Sequence, residues 1–196
     1  LYFCAGAPAL ESTGEVILAM QRRGIDMVEV GIPFSDPMAD GPVIQKAATQ
    51  ALRNGQSLRH IFEQLKAIKH QVHMPLVLMG YLNVVMQYGL ENYFKSCVES
   101  CVSGTILPDL PFKDYLEQVK PLADKYDQRV IMLITPETSA QRVRFIDEHT
   151  SGFIYMVSSA SITGAQHNFD QAKQAYFKRV DAMGLRNPRM IGFGIS

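Results

Sequence analysis

Met27-Val28-Glu29-Val30-Gly31-Ile32-Pro33-Phe34-Ser35-Asp36-Pro37-Met38-Ala39-Asp40-Gly41-Pro42 runs from an apolar, β-branched segment through a proline-rich loop to a proline that opens a helical pattern. The first five residues lack the polar alternation of a half-exposed strand, so they predict a strand buried in a parallel sheet. Pro42 sits at a first helical turn, and Asn54-Gly55 stops the pattern after Arg53. The stretch is therefore one strand–loop–helix unit. The same unit recurs outward in both directions. Further strand candidates are Leu1 to Cys4, Leu76 to Met79, Thr105 to Leu107, Val130 to Ile134, Phe153 to Val157 and Met190 to Phe193. Helical patterns cover residues 12–23, 58–70, 90–99, 113–126, 140–149 and 170–183, with Ser57 as an N-cap. Strands that alternate with helices in this way make an α/β fold with a parallel sheet. The regular spacing, and the lack of a Gly-x-Gly-x-x-Gly turn after the first strand, favour a (β/α)8 TIM barrel over a doubly wound sheet. Such a barrel needs about 250 residues. The expectation is thus a single, incomplete barrel domain over residues 1–196, lacking the N-terminal helix and the last βα unit.

Composition narrows the function. The 196 residues are 47% apolar and carry nineteen basic and nineteen acidic side chains, so the formal net charge is zero. No basic stripe is present to attract a phosphate polymer, which argues against nucleic acid as a partner. No apolar run reaches the roughly 20 residues of a membrane span, and no basic segment leads into an apolar stretch with a cleavage site. These features predict a cytoplasmic protein with a small-molecule or protein ligand. Cys4, Cys97 and Cys101 show no metal-ligand spacing with histidine, so no metal is expected, and they read as buried reduced thiols.

In a barrel the reactive groups lie at the C-terminal ends of strands and in the loops that follow. Glu29 is a carboxylate inside an apolar strand, and burial on both faces would raise its pKa or cost several kcal/mol. A structural ion pair is the plainer explanation, but no other strand core holds a basic residue. In the following loop, Asp36 and Asp40 are held among Pro33, Pro37 and Pro42. Asp40 also fits as the N-cap of the next helix. Glu29 and Asp40 together offer an acid/base with a raised pKa and an ionised partner. Residues 158–165, rich in small and hydroxyl side chains, suit a lid or phosphate contact, and residues 192–196 follow the seventh strand where barrels bind phosphate. Tyr81, Asn83, Asp109 and Tyr155 complete the rim, each equally explicable by packing or turn chemistry. Met27, Met79, Met132, Met156 and Met190 read as core filler.

Glu29 with Gly31-Ile32-Pro33-Phe34-Ser35-Asp36-Pro37-Met38-Ala39-Asp40-Gly41-Pro42 resembles the signature of the tryptophan synthase alpha subunit family. The resemblance continues through Met79-Gly80-Tyr81-Leu82-Asn83, Pro108-Asp109-Leu110-Pro111, Ile162-Thr163-Gly164 and Gly192-Phe193-Gly194-Ile195-Ser196. It implies a lyase that cleaves indole-3-glycerol phosphate into indole and glyceraldehyde 3-phosphate and passes indole to a beta subunit in an alpha2beta2 assembly. By the same resemblance Glu29 is the general acid/base and Asp40 holds the indole N–H. Thr163 bonds Asp40 when the sixth loop closes, Tyr2 matches an aromatic that lines the indole pocket and Tyr155 a tyrosine near the acid/base residue; the rim residue Tyr81 is counted with them as substrate-binding. Gly164 and Gly194 lend backbone amides to the phosphate, whose remaining family contacts, a Gly-Ser pair after the eighth strand, have no counterpart here. Pyridoxal phosphate belongs to the beta partner, so no cofactor is expected in this chain. Two positions depart from the family pattern: Ala7 replaces an aspartate of the first loop, and Ser159 stands where many members have arginine. The competing readings are another phosphosugar-binding barrel enzyme and a non-catalytic subunit that activates a partner.

Overall fold

The computed structural model describes residues 1–38, 40–158 and 171–192. They form two compact units, Leu1–Met38 with Pro42–Arg129 and Ala39–Gly41 with Val130–Ser196.

The first unit carries strands β1 (Tyr2–Cys4), β2 (Val28–Gly31), β3 (Leu76–Met79) and β4 (Val102–Ile106), paired in chain order and all parallel. Helices α1 (Ser12–Arg22), α2 (Pro42–Arg53), α3 (Leu58–Ile68), α4 (Leu82–Tyr88) and α5 (Leu90–Glu99) connect them. After β4 come α6 (Phe112–Asp114), a π-helical turn (Tyr115–Val119) and α7 (Lys120–Lys125). Val28, Val30, Leu76, Leu78 and Ile106 of the strands are fully buried, as are Ile61, Phe62 and Leu65 of α3 and Tyr93 and Phe94 of α5. Edge-on contact of Tyr93 with Phe62 and Phe94 extends this core, and the Tyr93 hydroxyl meets Thr105 Oγ1 at 2.9 Å. Burial pushes the neighbouring Cys97 thiol up to about 12.

The second unit contains β5 (Arg129–Ile134) from Val130 on, α8 (Ala140–His149), β6 (Ile154–Val157), α9 (Gln171–Asp181) and β7 (Arg189–Gly192), with β5–β6 and β6–β7 again parallel. Its core is Ile134, Val143, Ile154 and Val180. From α9, Tyr176 donates to Ile134 O at 3.1 Å and Arg179 to the carbonyls of Pro136 and Thr138, fixing the loop after β5. In neither unit does the order of strands reverse, as it would in a doubly wound sheet.

Several local expectations need correction. Helix α4 was not visible in the sequence, because it is short, carries Val84 and Val85, and has no capping side chain of its own. The single helix expected over 113–126 is interrupted by the π turn, since Pro121 lacks an N–H and its ring crowds the carbonyl of Glu117. Strand β4 begins three residues earlier than expected. Leu76 pairs with Val102 and Val77 with Gly104, so Ser103 is an extra residue that shifts the register. Helix α5 ends at Glu99, hence Cys97 and Cys101 do not share a helix face. Cys101 is exposed in a left-handed backbone conformation and is not a buried thiol. Met79, Met132 and Met156 are buried as expected, whereas Met190 is exposed.

Candidate active site

Strand β2 sets the position of Glu29. Its neighbours Val28 and Val30 are fully buried, while Glu29, facing the other way, is only half-buried. The expected burial on both faces is therefore corrected: one face of the strand packs on helices and the other admits the carboxylate. The backbone N–H of Glu29 donates to Leu1 O at 2.7 Å, and its register partners are Tyr2 on β1 and Val77 on β3. Register partners in a parallel sheet share a face, so Tyr2 and Glu29 stand side by side. Tyr2 leans toward the C-terminal end of β2. A Cβ added to Gly31 would come within 2.2 Å of its hydroxyl, so the bare glycine is what admits the ring.

The loop after β2 is held from outside itself. The backbone N–H of Met38 donates to the Tyr81 hydroxyl at 3.1 Å, and the Phe34 ring lies 4.9 Å from that of Tyr81. Tyr81 is buried and immediately precedes α4. Both carboxylate oxygens of Asp109, in the loop after β4, accept the N–H of Leu82, at 2.9 and 3.1 Å. Asp109 thus caps α4 from 27 residues away. Asp40 follows in the same loop and is half-buried, whereas Ser35 and Asp36, bonded to each other, are exposed. An open groove of about 880 Å³ runs beside Pro33–Asp36 and is also lined by Arg59 of α3, Asn83 and Gln87 of α4, and Lys95 of α5.

The loop after β1 is pinned by Asn54, read from sequence only as part of a helix stop, and by Gln56 and Gln64, which the sequence did not single out. Asn54 Nδ2 donates to the carbonyls of Gly6 and Pro8 at 2.9 and 3.0 Å, and the Gln56 side chain packs against Gly6. Gln64 Nε2 donates to Leu10 O at 2.7 Å. These contacts span 46 to 54 residues, and nothing in the sequence signals them beyond the polar character of the three side chains.

In the second unit Tyr155 occupies the middle of β6, between Leu133 and Met190 in register, and is buried. Its hydroxyl lies over Gly192, where a Cβ would approach to 1.9 Å. The Tyr2–Gly31 arrangement is therefore repeated: a strand tyrosine reaches over a glycine that ends the next strand. Glu29, Tyr2 and Tyr81 belong to the first unit, Asp40 and Tyr155 to the second. Thr163, Gly164 and Gly194, like Ser159, lie outside the described residues. Among the described residues no group of three or more His, Cys, Asp or Glu side chains could hold a metal ion, and no helix is long and apolar enough to cross a membrane.

The profile of a family described as tryptophan synthase alpha chain matches residues 1–196. The tryptophan synthase alpha chain of Bacteroides fragilis is 64% identical over 196 residues, which are the whole of this chain and 74% of that protein. That of Phocaeicola vulgatus is 62% identical, with the whole of this chain covering 76% of it. Among solved structures, a tryptophan synthase a2b2 complex from Pyrococcus furiosus superposes with a TM-score of 0.90 at 34% identity, over 100% of this chain and 77% of the matched one. A tryptophan synthase from Mycobacterium tuberculosis gives 0.89 at 30% identity, over 99% and 73%.

Proposed function

Because the chain belongs to the tryptophan synthase alpha chain family, we propose that Glu29 and Asp40 are the groups that carry its reaction. The chain is a lyase subunit with the barrel fold of that family. It cleaves indole-3-glycerol phosphate to indole and glyceraldehyde 3-phosphate and works with a beta subunit, to which indole passes.

Cleavage breaks the bond between indole C3 and the glycerol chain. The adjacent chain hydroxyl loses its proton and becomes the aldehyde, while C3 gains a proton, so one group able to give and to take protons serves both ends. Glu29 is the candidate. The observation that carries this reading is a carboxylate in the middle of an otherwise apolar strand, with fully buried neighbours, half-open on the face it shares with Tyr2. Protonation at C3 leaves positive charge on the indole nitrogen. A carboxylate against that N–H stabilises the charge as it develops, and this is the role of Asp40. The rings of Tyr2, Tyr81 and Tyr155 offer apolar surface to the indole. Thr163 closes over Asp40, and the amides of Gly164 and Gly194 take the phosphate, as the family resemblance implies. Proton transfer and charge stabilisation need no cofactor in this chain, and pyridoxal phosphate is assigned to the beta subunit. The cytoplasm, where a small phosphorylated substrate is retained, is its compartment.

Indole release from indole-3-glycerol phosphate, with and without the beta subunit, tests this reading beside a Glu29→Gln variant. General acid/base catalysis contributes about 10² to 10⁴ in rate. A loss of that size on substitution, at unchanged folding, is expected. Retention of activity by Glu29→Gln would remove Glu29 from the chemistry.

A further inference from the structure

We infer that the Tyr81 hydroxyl, anchored through Asp109, is a positioning group that holds the loop carrying Asp40, a role separate from any contact its ring makes with substrate. The inference rests on the assignment of Asp40 above.

Three contacts form one strut. Asp109 accepts the N–H of Leu82 with both oxygens, fixing the first residue of α4. Tyr81 directly precedes that residue and is buried, so its backbone has little freedom once Leu82 is held. The Tyr81 hydroxyl accepts the N–H of Met38 at 3.1 Å, and the Phe34 ring packs on the Tyr81 ring at 4.9 Å. The loop is thus held at two points four residues apart, one polar and one apolar, both on the same side chain. Asp40 follows Met38 by two residues. Much of the loop between these points is exposed: Met38 itself is 79% exposed, so its side chain contributes little packing. The backbone bond to Tyr81 therefore restrains this end of the loop. A carboxylate that stabilises developing charge must be in place before the charge appears, because reorganisation at the moment of reaction subtracts from the benefit. A strut that fixes the loop acts on turnover more than on substrate affinity.

Tyr81→Phe removes the acceptor and keeps the ring against Phe34. The expected result is a kcat for indole formation lowered about tenfold, with KM within about twofold of the parent, as for loss of one hydrogen bond that positions a catalytic group. Hydrogen exchange at the Met38 amide should accelerate about tenfold, while exchange in β2 and β3 stays unchanged. Asp109→Ala should reproduce both effects, and Asp109→Asn should restore them, since the amide oxygen still accepts the Leu82 N–H. A merely structural role would move global exchange and melting temperature instead. If Tyr81→Phe leaves Met38 exchange and kcat unchanged, or raises KM alone, the strut is wrong. Asp40→Asn is measured alongside: near-parental turnover in that variant would sink the assignment of Asp40, while Met38 exchange in Tyr81→Phe still judges the strut.

Discussion

At the scale of single residues, two glycines each make room for a strand tyrosine. An alanine at Gly192 would put its Cβ 1.9 Å from the Tyr155 hydroxyl, and one at Gly31 would come within 2.2 Å of that of Tyr2. Neither distance is tolerable, so each tyrosine must leave its position. Overpacking of this kind costs about 1–3 kcal/mol. Gly192→Ala and Gly31→Ala should therefore lower the midpoint of urea unfolding and raise KM for indole-3-glycerol phosphate severalfold, readable by denaturation and steady-state kinetics. Sequence placed both glycines at strand ends but could not show their purpose, because the close approach depends on register with a neighbouring strand. Cysteines allow a second residue-level prediction. Cys101 is exposed and Cys97 is buried with its thiol pushed up to about 12, so a neutral-pH thiol reagent should label Cys101 quickly and Cys97 only on unfolding. Mass spectrometry of labelled peptides decides it; fast labelling of Cys97 in the native protein would contradict the burial.

Elements are held by polar side chains that reach across long sequence separations. Asp147, near the end of α8, accepts the backbone N–H groups of Arg186 and Asn187 at 2.7 and 2.8 Å and the Asn187 side chain at 2.8 Å. Arg186 in turn donates to the carbonyls of Asp147, Glu148 and Thr150, which close the C-terminus of α8. Burial tends to raise the Asp147 pKa, but these hydrogen bonds and the Arg186 charge outweigh it and hold the carboxyl below its usual range. The depressed folded pKa means this contribution is fully present above the unfolded value, near pH 4, and is lost as pH falls through the folded value. Asp147→Ala should cost about 1–3 kcal/mol at pH 7, since it strands two backbone donors. Its stability should also fall less steeply than the parent's between pH 4 and pH 2, as measured by urea unfolding at each pH. The same long reach explains what the sequence concealed. Helices α2, α3, α5 and α8 follow from local periodicity and caps such as Ser57 and Ser139, each of which accepts an N–H three residues on. Helix α4 depends on Asp109 for its cap, and no local pattern reveals that.

At the scale of the whole molecule, strand order and the signature loop were legible because they are written locally. Seven apolar strands and the proline-framed Asp40 each occupy a handful of consecutive residues. The supports of the site were not legible: Tyr81 to Met38, Asn54 to Gly6 and Asp109 to Leu82 join residues 27 to 48 positions apart. Met38 is 79% exposed and Val43, in the first turn of α2, is 82% exposed. They stand on either side of Asp40 in the sequence, and this stretch is the expected contact of the beta subunit. Val43→Asp tests the assignment with little risk to folding, because an acidic side chain at a helix N-terminus is favourable. Binding to the beta subunit should weaken at least tenfold by titration calorimetry, while indole formation by the free chain stays at the parental rate. Unchanged affinity would place the docking surface elsewhere. A fall in the rate of the free chain would show instead that this turn of α2 bears on the catalytic loop itself.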